Sequence, residues 1–396
     1  MTSVGVVGLG EAGNLGDDLI LLSTIRLLSD SAVDEIHHLS FGELLPWTRI
    51  AHTLGISSTI YPHSPHRDLP GSQARSRVFE GCDGVVFGGG GLLQSVHHPY
   101  RPFHWLNYLP TDQQIGCIAM GLGLGPLSPR WRRRLANRPM PFDTTVLRDR
   151  DSVRLAEREL GWEVQLGRDF VTPDFLDKFL GHRQVETLNI LGVAIRAWPG
   201  LDEQRLARHI REVAAETGAN EVRFYVLEAK SGRGPDVEIT TNLASAVGLP
   251  SEVVVYHPSR ILEFLDDMRA CQAAVSMKLH ASVVWDWAGT SLYPIHYAPK
   301  TAALFGDEYQ GLEVVPTPRR LAPIPAEAAE HVDVLSSWLA SLGNRSHGSH
   351  SVQFTMYRPH PLERFLFQSA STAVDIGRRA RRELGGREAP SAQQQS

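Results

Sequence analysis

The sequence predicts an α/β protein built from two successive series of parallel strands and crossover helices, followed by a helical C-terminal extension. Three observations lead there. Short apolar runs alternate with amphipathic stretches over residues 1–180, and the same alternation restarts over residues 185–315 after a polar interruption. Residues 316–396 turn rich in Pro and Ala, carry two helical patterns and end in a Gln/Ser tail read as disordered. At 396 residues the chain is longer than one hydrophobic core usually supports. With 42% hydrophobic and 21% charged residues it has the composition of a globular protein. A net charge of -5 supplies no chain-wide attraction for nucleic acid or anionic lipid, so no nucleic-acid partner is expected.

In the first series, strands are expected at residues 4–8, 35–40, 84–87, 115–120, 145–147 and 163–166, forming a Rossmann-like layer. Helices fill the gaps: residues 17–28 bring Leu19, Leu22, Ser23 and Arg26 to helical spacing, and residues 152–160 follow an Asp-rich cap. Residues 178–187, with Gly181, His182 and Gln184, break the pattern and read as a linker. The second series has strands at 188–195, 221–227, 252–256, 273–276 and 291–297, with helices at 203–216, 260–270 and 278–288 between them. Residues 335–342 and 362–382 read as helices of the extension, and no internal repeat is found.

Cys82, Cys117 and Cys271 form neither a C-x-x-C pair nor an even-numbered secreted framework, which fits a reducing compartment. The apolar run at 4–9 enters a Gly-rich turn instead of a small-residue cleavage site, and no run approaches the ~20 apolar residues of a membrane span. A cytoplasmic protein is expected. Arg130, Arg132, Arg133, Arg134 and Arg138 around Trp131 leave two readings open, a solvated helix face or a peripheral contact at the inner face of a membrane. Arg378, Arg379, Arg381 and Arg382 pose the same choice. No H-E-x-x-H string or Cys cluster occurs, and His37-His38 and His97-His98 lack a partner set, so neither a metal nor a bound cofactor is expected. The oligomeric state is not legible.

Three Gly clusters, at 8–16, 88–91 and 121–125, fall at the expected carboxyl ends of first-series strands. That edge of an open α/β sheet holds the ligand crevice, and glycine lets backbone N–H groups approach an anion or a sugar closely. Gly8, Gly10 and Gly13 also spell the dinucleotide fingerprint G-x-G-x-x-G, but the ribose-binding acid due about 20 residues on is not there: the next strand offers only Glu43. A P-loop string does not occur either.

Gly13-Asn14-Leu15-Gly16-Asp17 resembles the G-N-x-G-D opening of the polysaccharide pyruvyl transferases. Asp83 followed by Val85-Val86-Phe87-Gly88-Gly89-Gly90-Gly91 is similar to a second signature of that family, Gly121-Leu122-Gly123-Leu124-Gly125-Pro126 to a third, and Arg148-Asp149 with Ser152 to its R-D-x-x-S. In the second half, Val193-Ala194-Ile195-Arg196 resembles the family strand that ends in arginine. Ser276-Met277-Lys278-Leu279-His280 resembles its S-M-R-L-H segment, and Pro294 to Tyr297 with Lys300 its last element. The resemblance runs in order over about residues 4–310. It implies a GT-B-like architecture of two facing Rossmann-like domains, an acceptor side at 1–180 and a donor side at 185–315. It also implies phosphoenolpyruvate as co-substrate, a saccharide or lipid-linked saccharide as acceptor, and a cyclic pyruvate ketal as product. Lys278 stands where the family has arginine, a point charge in place of a bidentate fork.

A donor with a carboxylate and a phosphate needs cations on rigid elements aimed into a water-poor cleft. Arg148, Arg196, Lys278 and Lys300 are the candidates, with Leu279 between Lys278 and His280 at a strand-to-helix junction whose positive end attracts phosphate. Ketal formation moves protons in both directions, which suits an imidazole; His280 is the expected catalytic group, together with Arg148. Asn14, Asp17, Gly89 and Gly90 are the expected acceptor contacts, with helix capping as the alternative for Asn14 and Asp17. Asp149 and Asp169 read as capping or ion-pairing residues that orient Arg148. A nucleotide-sugar glycosyltransferase on the same architecture and a non-catalytic carbohydrate-binding relative remain the rival readings. In a GT-B-like chain a terminal helix often crosses back onto the first domain, a role assigned here to residues 362–376.

Overall fold

The computed structural model describes residues 1–64, 77–95, 104–110, 115–136, 138–181, 183–229 and 234–342. The expected helix at 362–382, the basic residues Arg378 to Arg382 and the His97-His98 pair lie outside these.

The first lobe is a seven-stranded sheet. In chain order its elements are β1 (Ser3–Val7), α1 (Leu15–Asp30), β2 (Glu35–Leu39), α2 (Trp47–Leu54), β3 (Thr59–His63), β4 (Gly84–Leu93), β5 (Gly116–Leu124), α3 (Pro129–Leu135), β6 (Thr144–Leu147), α4 (Arg150–Arg154), β7 (Gln165–Leu166) and α5 (Pro173–Leu180). The strand order is β3-β2-β1-β4-β5-β6-β7, and every pairing is parallel. Helices cover both faces, so β1 is buried at all five positions and reads as a continuous apolar run. α1 buries Leu15, Leu19, Leu22 and Ile25 against the sheet.

The second lobe is a six-stranded sheet of order β10-β9-β8-β11-β12-β13. It comprises β8 (Leu188–Ala194), α6 (Glu203–Thr217), β9 (Glu221–Val226), α7 (Pro235–Val247), β10 (Ser251–Val255), α8 (Ile261–Arg269), β11 (Cys271–Ser276), α9 (Leu279–Trp287), β12 (Ser291–His296), α10 (Pro299–Ala303) and β13 (Glu313–Val314). Only β13 pairs antiparallel.

Two mostly parallel α/β sheets are what the sequence predicts, and the departures have physical causes. β3 carries Pro62 and a largely exposed surface, tolerable only at a sheet edge and too weak a pattern to mark a strand. β4 and β5 run on through their Gly clusters, to Leu93 and Leu124, instead of ending before them. Positive φ at Gly89, Gly90 and Gly121, and register shifts in the β4–β5 and β5–β6 pairings, kink the strands as they leave the sheet plane. Residues 178–180, read as linker, belong to α5. After α4 the chain makes a π-helical turn, Leu155–Leu160, closed by Gly161 in the left-handed region.

Beyond β13 the chain returns to the first lobe through α11 (His331–Leu342), while the return expected of residues 362–376 lies outside the described residues. Ala329 donates its N–H to the Leu166 carbonyl at 2.8 Å. Trp338 packs against Gly84, where a Cβ would come within 2.5 Å of its ring, and donates to Asp143 at 3.2 Å.

The lobes are joined edge to edge through their backbones. Leu15 N–H donates to the Leu227 carbonyl at 3.0 Å and Ala229 N–H to the Gly13 carbonyl at 3.1 Å, an antiparallel pairing centred on Asn14 and Glu228. Gly13 has φ +77° and a Cβ there would stand 2.7 Å from the Ala229 carbonyl oxygen, so only glycine fits. One turn into α1, Asp18 is fully buried and accepts from Glu11 N–H and the Tyr256 hydroxyl, both at 2.5 Å. Burial pushes its carboxyl up from 3.8 to about 8.

Two outcomes follow. Trp338→Ala should destabilise the protein by about 3–5 kcal/mol, read from the denaturant midpoint, because a buried indole and its hydrogen bond are lost together. For Asp18, the folded carboxyl titrates near 8 and the unfolded one near 3.8. Across that window the native state holds a proton the unfolded chain has released, so stability falls as pH rises. Asp18→Asn, which mimics the protonated group, should flatten urea stability against pH over this range; an unchanged slope would place the proton on another group.

Candidate active site

The carboxyl edges of the two sheets face each other, and each strand delivers its functional residue just past its end. On the first lobe, β1 leads to Asn14 and Asp17, β4 carries Gly89 and Gly90, β6 is followed by Arg148, and the chain after β7 supplies Asp169. On the second, the neighbouring strands β8, β11 and β12 are followed by Arg196, by Lys278 with Leu279 and His280, and by Tyr297 with Lys300.

The α1 N-terminus is set by Asn14, whose side-chain oxygen accepts from Gly16 N–H at 3.0 Å. Asn14 is therefore a cap as well as a cleft residue. Asp17 opens toward the cleft beside Gly90, where a Cβ would be 3.9 Å from its carboxylate. The surrounding protein walls desolvate it and push its carboxyl up to about 6; Glu228 adds to the shift while His280, Lys300 and Arg148 oppose it. Gly88 and Gly89 have Thr24 and Ile20 of α1 where their side chains would be.

Arg148 lies under Gly123, whose Cβ would be 3.0 Å from the guanidinium. It pairs with Asp169 at 3.2 Å and with Asp149 at 3.4 Å. Burial works against the charge, yet these carboxylates raise its pKa. Asp149 also accepts from Ser152 N–H at 2.8 Å, the α4 cap the sequence predicts. Asp169 does more than pair with Arg148, for its other oxygen lies 3.3 Å from Nε2 of His280. Burial alone would raise the Asp169 carboxyl, but His280 and Arg148 hold it well below the usual range.

Lys278, expected to hold the donor, is buried and committed. Its ammonium meets Asp236 at 2.5 Å and lies 3.8 Å from Glu228. Asp236 in turn accepts from Ala197 N–H at 2.9 Å, so this one carboxylate ties α7 both to Lys278 and to the end of β8. Arg196 and Lys300 instead gather at the buried Tyr297, with the Lys300 ammonium 5.9 Å from the centre of its ring, and neither forms an ion pair among the described residues. Burial would raise that phenol; Lys300 and Arg196 bring it below its usual value. Lys300 itself is exposed, yet the protein around it lowers its ammonium, with Arg148 and Arg196 pushing the same way. No side chain caps α9, which leaves its first N–H groups, starting at Leu279, directed at the cleft.

The site thus brings together His280, Arg148, Arg196, Lys300 and Asp17 and withdraws Lys278 into a structural pair. Sequence reasoning gave no role to Tyr297, Asp236 or Glu228. Tyr297 carried a signal, since it ends a strand as Arg196 does; the two acids carried none, because only folding sets them beside Lys278. The basic run at 130–138 divides: Trp131 is buried, Arg132 pairs with Glu159 at 2.8 Å, and Arg134 lies over the Trp131 ring. Among the described residues no three His, Cys, Asp or Glu side chains gather as metal ligands, and no helix is long and apolar enough to cross a membrane.

No curated protein matches the chain. Among solved structures, a putative UDP-N-acetylglucosamine 2-epimerase from Listeria monocytogenes is similar in fold, with a TM-score of 0.50 at 11% identity over 87% of this chain and 88% of its own. UDP-GlcNAc 2-epimerase from Methanocaldococcus jannaschii gives 0.48 at 13% identity over 78% and 89%, and the Escherichia coli ADP-heptose lps heptosyltransferase II gives 0.38 at 11% over 86% and 98%. The architecture is the GT-B-like one, two Rossmann-like sheets facing across a cleft. The polysaccharide pyruvyl transferase profile matches residues 14–284, from the α1 cap to the middle of α9 and so through the Arg148, Arg196 and His280 elements. Since that match spans well over half of the sequence, the chain belongs to the polysaccharide pyruvyl transferase family and is a transferase.

Proposed function

We propose that this transferase moves the pyruvyl group of phosphoenolpyruvate onto two hydroxyls of a saccharide, free or lipid-linked, and closes a pyruvate ketal. The observation that carries this reading is the convergence of Arg196 and Lys300 on Tyr297 with no carboxylate paired to either among the described residues. Cations in a cleft without an ion-pair partner, Arg196 feeling Glu228 and Asp236 only at longer range, are a site for an anionic substrate. The uncapped N–H groups of α9 at Leu279 offer a second anion contact. A donor bearing both a carboxylate and a phosphate matches this spread better than one with a single charge.

The chemistry balances through the residues at hand. A proton goes to the enol methylene, the first hydroxyl adds to the adjacent carbon, phosphate departs, and the second hydroxyl closes the ring. Two hydroxyl protons are released: one replaces that given to the methylene and the other leaves with phosphate. His280 carries these protons, while Asp17, whose carboxyl titrates near 6, accepts hydrogen bonds from acceptor hydroxyls across the cleft. Gly89 and Gly90 give the sugar close access to backbone. Lys278 supports this site through Asp236 instead of touching the donor.

Phosphate release from phosphoenolpyruvate with a panel of saccharides, and a new ketal methyl signal by NMR, test the proposal. His280→Ala should lower kcat by about 10²–10⁴-fold with the fold retained. Arg196→Ala should chiefly raise KM for phosphoenolpyruvate. Thermal protection by UDP or GDP, with none by phosphoenolpyruvate, would turn the assignment to a nucleotide-sugar glycosyltransferase.

A further inference from the structure

We propose that Asp169 is a positioning residue that keeps the hydrogen of the His280 imidazole on Nε2 and so presents the Nδ1 lone pair to the acceptor hydroxyl at the α1 N-terminus. The inference rests on His280 as the proton carrier and deepens that assignment.

Every bond around Asp169 leads the same way. Its Oδ2 accepts from Arg148 at 3.2 Å, and its Oδ1 accepts from Val171 N–H at 3.1 Å and faces His280 Nε2 at 3.3 Å. The carboxylate is anchored on the first lobe by two donors before it meets the imidazole of the second. Held ionised by His280 and Arg148, it has only acceptor capacity, so the ring nitrogen opposite must carry the hydrogen. In a neutral imidazole the other nitrogen is then the base. That nitrogen faces Gly16: a Cβ there would stand 2.2 Å from Nδ1. No hydrogen bond joins Nδ1 to the described residues, and Asp17 follows on the same turn. Gly16 is therefore the space that seats the imidazole, and it sets Nδ1 at the first turn of α1 beside Asp17.

As the acceptor oxygen bonds to the electrophilic carbon its O–H bond breaks and Nδ1 takes the proton. The imidazolium so formed is balanced by Asp169 and gives that proton to the enol methylene; when the second hydroxyl closes the ring Nδ1 takes its proton in turn, and the departing phosphate removes it. Arg148 keeps the carboxylate from turning away. It acts on the imidazole through Asp169, besides any contact of its own with substrate.

Histidine-labelled protein, with His280→Gln to assign the resonances, reports the tautomer by 15N NMR without any substrate. Wild type should show His280 protonated on Nε2. In Asp169→Asn the amide oxygen stays with Arg148 and its NH₂ turns to His280, so the tautomer should reverse to Nδ1–H. In the same variant kcat should fall about 10²–10⁴-fold with donor KM little changed. Gly16→Ala, whose Cβ would overlap the ring, should produce a similar loss by displacing the imidazole. A wild-type imidazole protonated on Nδ1, or a folded Asp169→Asn enzyme with unchanged tautomer and kcat, would overturn the role of Asp169. Should Asp169→Asn fail to fold, the wild-type spectrum still decides. A correct tautomer in an enzyme that releases no phosphate from phosphoenolpyruvate would sink the donor assignment and leave Asp169 standing.

Discussion

The antiparallel backbone pairing of Gly13 and Leu15 with Leu227 and Ala229 sets the geometry on which the site depends. Each sheet alone presents a row of strand ends, with Arg148 paired to Asp149 and Asp169 and Lys278 to Asp236 and Glu228, but Asp169 meets His280 only where the two edges come together. The pairing joins the start of α1 to the chain just past β9, and so fixes the separation of the two edges. Tyr256 locks the same seam by reaching from the second lobe to the buried carboxyl of Asp18. These contacts are short and directional, so a shift of either lobe would break several of them together.

Within the cleft, charge is distributed by pairing. Arg148 is balanced by Asp149 and Asp169, and Lys278 by Asp236 and Glu228; these groups shape the walls. Arg196 and Lys300 share a phenol in place of a carboxylate, which leaves their charge available. A buried cation with its own counter-ion is a poor ligand for a new anion, because the existing pair must be broken first. The distinction separates residues that hold the cleft together from those that face a substrate, although all of them occupy strand ends. The replacement of the family arginine by Lys278 fits the former role, since a compact ammonium suits a pair of carboxylates and needs no bidentate fork.

Several glycines of the signatures serve approach between elements as much as ligand contact. Gly13 admits the Ala229 carbonyl, Gly16 the imidazole, and Gly123 the Arg148 guanidinium. Their clustering pointed to the rim correctly, but what each accommodates is another part of the protein. The kinks at Gly89, Gly90 and Gly121 carry β4 and β5 past the sheet plane, which periodicity alone read as strand termination.

The sequence by itself determined the two α/β series and the placement of Arg148, Arg196, His280 and Lys300 at strand ends, because alternation and Gly-rich exits are local properties of a chain. It also carried the family signatures in order. Tertiary structure alone decided which cation is free and which is paired, since Asp236 and Glu228 are some 40–50 residues from Lys278 along the chain and meet it only across the folded lobe. It decided likewise that α11, with an ordinary amphipathic pattern, returns to cover Gly84, and that Asp169 meets His280 over 111 positions of sequence. Such contacts arise from how strands are ordered and lobes are joined, and no local pattern of residues encodes that.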